Sequence, residues 1–269
     1  MPNLPRELER EIFELALRGD RRNTDLKLAL CMVARRVQIW IDLIFYEMVM
    51  VRDDHHAGRF LSLVDSNIKP PAFFSAVKIL CLPFYVSAPN AYRILTACTA
   101  VELLACWSNC VNHPEFSSLI GQLPLRRLSL ELTHLSRVPA TRGTWLSSLT
   151  HMYIIMWVDK DILGLLATIK RLPHLTHVAL DCGIVDFSAE HAAVVCSSCP
   201  SIRVLVILIL LESCEIEEEA NDYRVVVQNI LPRDPIADWE APYFDLPDMW
   251  SRAEATIEER LKRASVGSV

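Results

Sequence analysis

The chain has 269 residues, of which 52% are hydrophobic, and its formal net charge is −6. It is long and apolar enough to bury a core, which excludes a disordered protein, and its acidic balance argues against a nucleic-acid-binding or basic membrane-binding surface. Charged residues near the start argue against a signal peptide, and the most apolar run, Val204–Leu211, is too short to cross a bilayer. Nine cysteines without such a signal predict reduced thiols and a cytoplasmic or nuclear location.

The first predicted element is an amphipathic helix over residues 4–17, because its apolar residues recur at helical spacing. They fall on one face: Leu8, Ile12, Leu15 and Ala16. A charged linker, Asp20–Thr24, precedes a second stretch with helical spacing of apolar residues: Val33, Val37, Trp40, Ile41 and Ile44. A short strand is predicted over residues 47–51, where it would lead into the next region of the chain and cap it. Residues 1–52 are therefore predicted to form a short helical head.

A six-fold repeat follows the head. The pattern Φ-x-x-Φ-x-Φ, in which Φ is apolar, begins at positions separated by 24, 24, 24, 26 and 27 residues. The six copies begin at Val77, Val101, Leu125, Leu149, Leu175 and Ile202. A near-constant interval in the twenties is typical of a solenoid, in which each copy supplies one short strand and neighbouring copies bury a common apolar layer. The doubled phrase Leu-Thr-His, at residues 149–151 and 175–177, belongs to this repeat.

Between strands the chain must return to the same edge of the sheet, which requires a crossover. Helical crossovers are predicted over residues 161–172 and 188–197. A proline, which ends a helix without disturbing the following strand, precedes three of the strands: Pro124, Pro173 and Pro200. We therefore predict an α/β solenoid of parallel strands with helical crossovers over residues 53–211.

Residues 212–269 form a third predicted region, with 14 acidic and 6 basic side chains. An acidic loop and a last parallel strand, residues 222–227, come first, and an amphipathic helix is predicted over residues 248–263. Asp248 is a natural N-cap for this helix. Its apolar face carries Trp250, Ala253 and Ile257. The helix either packs back as a cap or binds a partner, and we favour the cap because solenoid ends need covering.

The repeat resembles the leucine-rich repeat over residues 74–211. This resemblance implies a solenoid with a concave binding face formed by the strands. The family also places an Asn or Cys after each strand, where it bonds to the neighbouring loop. Only the second copy offers such residues, Asn109 and Cys110. The other copies carry Tyr85, Thr133, Trp157 and Gly183 there.

The head resembles an F-box. The residues that carry this resemblance are Leu4-Pro5-x-Glu7-Leu8-x-x-x-Ile12-Phe13, then Val33-Ala34-Arg35-Arg36-Val37-x-x-Trp40, then Leu43, Phe45 and Tyr46. Together with the later phrases LPLRRLSLEL and LPHLTHVALD, they are similar to the F-box-like proteins with leucine-rich repeats that are abundant in mushroom-forming fungi. One departure is the charged segment Arg18–Arg22, where the family has a leucine–proline turn.

The resemblance implies a substrate-recognition subunit of an SCF-type ubiquitin ligase. The head would bind a Skp-type adaptor, which links it to the cullin complex, and the repeats would bind an unknown protein substrate. Apolar anchors at helical spacing suit such helix-in-groove docking. The adaptor-binding residues would be Leu4, Pro5, Leu8, Ile12, Phe13 and Val33. Alternatively, the head only caps the solenoid, and the chain is a free-standing scaffold that binds protein partners.

If the strands stack in register, alternate strand side chains face solvent on the concave side. The predicted substrate-binding residues there are Trp107, Arg127, Ser129, Glu131, His151, Tyr153, His177 and Asp181. The neighbouring histidines His151 and His177 also suit zinc, with Asp181 or Glu131 as a further ligand. Surface histidines that recur with the repeat are the favoured interpretation, so no metal site is predicted.

Catalysis is not predicted either. Cys196 and Cys199 have the spacing of a metal or redox pair, but without a second pair we favour structural burial. Phosphate-binding glycine loops, the nucleophile elbow and the H-E-x-x-H zinc motif do not occur in the sequence. An enzyme would need a deep pocket with a perturbed titratable group, and the sequence does not indicate one. We therefore expect no enzyme activity and no cofactor.

Overall fold

Parallel strands backed by helices make up most of the described chain. The computed structural model describes residues 4–110, 113–135, 137–138, 144–156, 162–183, 187–209, 221–229 and 234–266. Within these residues, eight strands form one sheet in sequential order, and every neighbouring pair is parallel. They are β1 (Met48–Met50), β2 (Ile79–Leu82), β3 (Leu103–Cys106), β4 (Arg127–Glu131), β5 (His151–Ile155), β6 (His177–Gly183), β7 (Val204–Ile209) and β8 (Val225–Asn229). The predicted α/β class with parallel strands is confirmed.

The spacing of the repeat sets the register of this sheet. The first residues of β2 to β7 pair in series, at the predicted intervals of 24, 24, 24, 26 and 27 residues. The second residue of each strand, which the pattern marks as apolar, points into one common core: Leu80, Leu104, Leu128, Met152, Val178 and Leu205. Side chains alternate along a strand, so the first and third residues point to the opposite face.

Helices cover the face to which these apolar residues point, and their own apolar residues share the same core. The crossovers predicted over residues 161–172 and 188–197 are confirmed as helices with slightly different bounds. Between β4 and β5 the described residues contain only short helical turns, one over Leu132–Leu135 and a 3-10 turn over Thr144–Ser147. A second 3-10 turn covers Pro71–Ala76. The helices are α4 (Asp54–Asp65), α5 (Ala88–Ala97), α6 (Pro114–Gln122), α7 (Leu132–Leu135), α8 (Ile162–Ile169) and α9 (Ala189–Ser198).

The head has a small core of its own. Its three helices are α1 (Arg6–Gly19), α2 (Thr24–Cys31) and α3 (Arg35–Phe45). The second predicted helical stretch is divided, because Ala34 adopts an extended conformation (φ −164°, ψ 152°) before α3. Four buried side chains pack together in this core: Leu17, Val37, Ile41 and Ile44. Helix α3 leads directly into β1, so the predicted cap strand is confirmed and the first 52 residues include one strand of the sheet.

The C-terminal region crosses the other face of the sheet. After β8 come α10 (Pro235–Glu240), a 3-10 turn (Ala241–Phe244) and α11 (Met249–Val266). We call residues 234–266 the strap, and the sheet face opposite helices α4–α9 the covered face. Helix α11 packs on β7 and β8 from this side, so it covers a face of the sheet and not the end that we expected.

The last predicted strand is confirmed as β8, which begins at Val225. The acidic loop predicted before it lies almost wholly outside the described residues. None of the helices in the described ranges is long and apolar enough to span a membrane.

Candidate functional site

Several large apolar side chains lie exposed on the head. Leu8 is 48% exposed, Ile12 55% and Val33 58%. An accumulation of exposed apolar side chains on one small helical unit is typical of a surface that contacts another protein. We call this set the head surface: Leu4, Leu8, Ile12, Leu15, Met32 and Val33.

Helix α1 carries two sets of apolar residues. Leu17 is fully buried in the head core and Phe13, one turn earlier, is half-buried against it. The other set, which includes Leu8 and Ile12, points outward. Phe13 therefore belongs to the head core and not to the head surface, because it occupies the helix face that packs on α3. The remaining predicted adaptor-binding residues are exposed: Leu4, Pro5, Leu8, Ile12 and Val33.

Charged side chains fix α1 on its neighbours. Arg36 of α3 donates two hydrogen bonds to Glu9 of α1, from Nε to Oε2 (2.8 Å) and from Nη2 to Oε1 (2.6 Å). The hydrogen bond from Arg36 lowers the pKa of the Glu9 carboxyl. Within α1, Arg10 Nε donates to Glu14 Oε1 (2.6 Å). The Arg36–Glu9 contact joins α1 to α3 and so helps to determine which face of α1 points outward.

The charged linker between α1 and α2 binds the strap. The guanidinium of Arg21 lies 4.5 Å from the ring centroid of Tyr243, and its Nη1 donates to the Tyr243 carbonyl (2.5 Å). Arg22 lies 4.8 Å from the centroid of Phe244. The Tyr243 hydroxyl in turn donates to the carbonyl of Ile44 at the end of α3 (3.3 Å). We call these contacts the clasp. The charged linker therefore contacts the C-terminal region of the same chain.

Two stacked histidines occupy the centre of the covered face. The rings of His151 and His177 are nearly parallel (10°), with centroids 4.1 Å apart. Trp250 of α11 meets both edge-on, at 5.3 Å and 5.7 Å. In each copy the preceding threonine holds the imidazole, with Oγ1 of Thr150 or Thr176 2.8 Å from Nδ1. The repeated Leu-Thr-His phrase therefore produces a repeated side-chain contact.

Two acidic side chains of the strap bind this face. Arg127 Nη1 donates to Asp248 Oδ2 (3.0 Å), while Asp248 Oδ1 accepts from the Ser251 backbone (2.9 Å) and caps α11. His177 Nε2 lies 3.1 Å from Glu254 Oε1. Because a carboxylate only accepts, Nε2 carries the proton of this ring. Asp248 is thus both helix cap and anchor.

The covered face is not open to solvent. Four of the predicted substrate-binding residues are buried: Trp107, Ser129, Tyr153 and His177. The other four are half-buried: Arg127, Glu131, His151 and Asp181. The expectation of a solvent-exposed concave surface is therefore wrong, because strap residues and the strands form a second apolar core there.

Polar groups at the same face bond to one another. Trp107 Nε1 donates to Ser129 Oγ (2.8 Å), and the Tyr153 hydroxyl donates to Asp181 Oδ2 (2.7 Å). Burial of such groups costs little when each finds a partner. Asp181 and Tyr153 are therefore partners of each other within the molecule.

Burial controls the titration of the histidines. It lowers the pKa of His151 to about 3, with further contributions from His177, when that ring is protonated, and from the positive charge of Arg127. Burial also lowers the pKa of His177, and the hydrogen bond to Glu254 opposes this shift. Both rings are therefore neutral at pH 7, as their close stacking requires.

Within the described residues, no group of three or more His, Cys, Asp or Glu side chains is arranged to hold a metal ion. Cys196 and Cys199 are both buried, and burial raises the pKa of the Cys196 thiol to about 12. These thiols are protonated at neutral pH, and they pack in the core between sheet and helices.

Two residues outside the predicted sites link neighbouring loops. Ser108 Oγ donates to the Pro83 carbonyl of the preceding copy (3.2 Å). The buried His134 accepts at Nε2 from the Cys110 backbone (3.1 Å). They lie 26 residues apart, close to the repeat interval, so a search for polar residues after each strand would have found them.

Comparisons of the chain with models of protein families, with curated proteins and with solved structures find no match. Function is therefore inferred from the two surfaces described above. The head surface offers exposed apolar side chains on a helical unit with its own core, and the covered face is a mixed apolar and charged surface on which an internal helix packs. Both arrangements suit protein–protein contact.

Proposed function

We propose that the chain is the substrate-recognition subunit of an SCF-type ubiquitin ligase. Its F-box-like head binds a Skp-type adaptor, through which it joins the cullin complex, and its leucine-rich repeats bind a protein substrate. The contribution of such a subunit is proximity and orientation, because bond chemistry belongs to its partners. A cytoplasmic or nuclear location is part of this proposal.

The observation that carries the proposal is the exposure of the head surface. Leu8, Ile12 and Val33 remain about half exposed although the head has its own core. Full burial of a leucine or isoleucine is worth about 2 kcal/mol, so each of these half-exposed side chains forgoes about 1 kcal/mol, which a partner groove would recover. Apolar residues one turn apart on α1 are the anchors that a helix-in-groove interface uses.

The sheet supports the repeat part of the proposal. Short parallel strands in sequential order, separated by intervals of 24 to 27 residues, suit a leucine-rich-repeat solenoid. The contacts of Ser108 and His134 with the preceding loop resemble the role of the family's Asn or Cys ladder. The chain uses different residues for this contact, so the repeat is an irregular one.

Co-purification with a fungal Skp-type adaptor tests the proposal. We expect the wild-type chain to form a one-to-one complex and the double variant Leu8→Asp/Ile12→Asp to lose it. The matched control is Arg6→Ala/Glu11→Ala, which changes exposed residues of the same helix outside the F-box-like pattern and leaves the apolar anchors intact. Circular dichroism establishes that each variant is folded. A wild-type chain that forms no complex would refute the ligase assignment.

A second candidate is a free-standing scaffold that binds proteins without a ligase. The clasp favours it, because the linker at which the chain departs from the F-box pattern is occupied by Tyr243 and Phe244 of the strap. The two candidates differ in whether the head surface has a partner. The same co-purification therefore separates them.

A further inference from the structure

Helix α11 of the strap packs against the covered face of the sheet, chiefly over β7 and β8. Four side chains of α11 point into the second core, at the spacing of one helix face: Met249, Trp250, Ala253 and Ile257. They pack with β7 and β8, whose inward residues include Val204, Val206, Leu208 and Val226. The apolar face of an amphipathic helix therefore fits the covered face.

Charge fixes the position of this helix on the covered face. Asp248, at the start of α11, binds Arg127 of β4, and Glu254, six residues later, contacts His177 of β6. Trp250 lies between them and covers the stacked histidine rings. The covered face thus contacts two carboxylates and one indole of α11 in a defined order, in addition to its apolar side chains.

An exposed turn connects α11 to the rest of the strap, and two hydrogen bonds to Asp238 of α10 would have to break for α11 to leave. The Met249 backbone N–H donates to Oδ2 (3.3 Å) and Arg252 Nη2 donates to Oδ1 (2.5 Å). Residues 245–247 are exposed, and Asp245 has a left-handed backbone conformation (φ 56°). The clasp holds the strap on the head just before this turn. Beyond the turn, α11 has two further ties to β8: Arg260 Nη1 donates to the Val225 carbonyl (2.5 Å), and Gln228 Nε2 donates to the Met249 carbonyl (3.2 Å).

We propose that α11 is an internal stand-in for the substrate, and that the covered face binds an amphipathic helix of a partner protein when α11 swings out about residues 245–247. The recognised helix begins with an acidic N-cap residue, carries a tryptophan two positions later, a second carboxylate six positions after the cap and an aliphatic residue nine positions after it. This inference rests on the proposed function only in that the repeats bind protein. It names the class of segment they bind.

The test is exchange of α11 in the folded protein. A recognition sequence for a specific protease replaces the exposed turn at residues 245–247, and the full chain is cut only after it has folded. The probe is a fluorescent peptide of residues 247–266, added in excess. We expect it to replace the resident helix with one-to-one stoichiometry, and to bind the uncut chain at least tenfold more weakly because the resident helix competes.

Peptide variants test whether binding to the covered face depends on Asp248 and Trp250. We expect Trp250→Ala and Asp248→Asn peptides to bind the cut protein at least tenfold more weakly than the parent peptide. A Leu261→Ala peptide, changed at a residue that is 49% exposed in α11, serves as control and keeps the parent affinity. Equal binding by all peptides, or equal binding to cut and uncut protein, would overturn the proposal.

Two further outcomes are decisive. A resident helix that never exchanges would make α11 a permanent part of the fold. Domain-swapped dimers, in which α11 of one copy packs on the covered face of another, would also overturn the proposal. Adaptor binding by the uncut chain is measured in parallel. Its loss together with peptide exchange refutes the ligase assignment alone, whereas its presence without exchange refutes the stand-in role alone.

Discussion

The head surface and the covered face both present large apolar side chains, and they differ in what lies over them. On the covered face, Leu208 and Val206 are fully buried because the strap packs against the sheet. On the head, Ile12 is 55% exposed and Leu8 48%. The chain thus supplies a cover for one surface from its own C-terminal region. The head surface has no such cover among the described residues, and this exposure is the reason for which we propose an intermolecular partner.

The largest expected effect contrasts the same substitution on the two surfaces. Leu208→Ala leaves a cavity in the second core and should lower the free energy of unfolding by about 3 kcal/mol. Leu8→Ala removes an exposed side chain and should change it by no more than about 0.5 kcal/mol. Urea unfolding of both variants checks this difference. Similar losses at the two positions would mean that Leu8 packs internally.

A smaller effect is expected from the anchor of the strap. Arg127→Met keeps the length of the side chain but leaves the Asp248 carboxylate, which is 6% exposed, without its cationic partner. The cost should be about 2 kcal/mol. The neighbouring Arg126→Met is the control, because Arg126 pairs with Glu102 at an exposed site. Thermal unfolding that ranks the two variants equally would argue against the anchor.

The covered face should also make stability depend on pH. The pKa of His151 is about 3 in the folded chain, below the usual value near 6.5, so the unfolded chain binds more protons between these values. Stability therefore falls as pH decreases from about 6.5 toward 3, by at most about 1.4 kcal/mol per pH unit for one histidine. His177 adds in the same direction.

The comparison that isolates this effect uses His151→Gln. We expect this variant to lose less stability than wild type between pH 6.5 and pH 5. Most carboxylates remain ionised in this range, since only about two tenths of an ordinary glutamate is protonated at pH 5. Urea unfolding at several pH values measures the slope. An unchanged slope would exclude His151 as a source of the dependence.

The smallest expected effect concerns the clasp. Arg21→Ala removes one hydrogen bond and one cation–π contact with Tyr243, together worth about 1 kcal/mol. Hydrogen exchange should accelerate at residues 241–246 and leave β5 and β6 unchanged. Arg35→Ala, a charge removal elsewhere on the head, should leave the exchange of these residues at the wild-type rate. Identical exchange in both variants would argue against the clasp.

The sheet could be predicted from the sequence because its signal is local and repeated. A strand needs only alternating apolar residues, and copies at intervals of 24 to 27 residues fix which strands are neighbours and in which register. The Leu-Thr-His phrase thus predicted that His151 and His177 are adjacent. Their environment could not be predicted in the same way.

The cover of the sheet escaped prediction because its contacts join distant parts of the chain. His177 and Glu254 are 77 residues apart, Arg127 and Asp248 are 121 apart, and Arg21 and Tyr243 are 222 apart. No local pattern records such pairs. The amphipathic character of α11 was visible in the sequence, but whether it covers an end or a face of the sheet depends on these contacts.

The head was predictable in part for a related reason. Helical spacing identified Leu8 and Ile12 as one apolar face of α1, and both are exposed. It could not assign Phe13, since α1 carries two apolar faces and only packing against α3 decides which one turns inward. The division between α2 and α3 was missed because apolar spacing continues through the break.

The central claim is that the head surface binds a Skp-type adaptor. Hydrogen exchange of the full chain with and without a fungal Skp-type adaptor tests this claim most directly. We predict slower exchange in α1 (residues 6–19) and around residues 32–34 when the adaptor is present, with strands β2 to β7 unchanged. Unchanged exchange in α1 at saturating adaptor, or protection confined to the sheet or the strap, would contradict it.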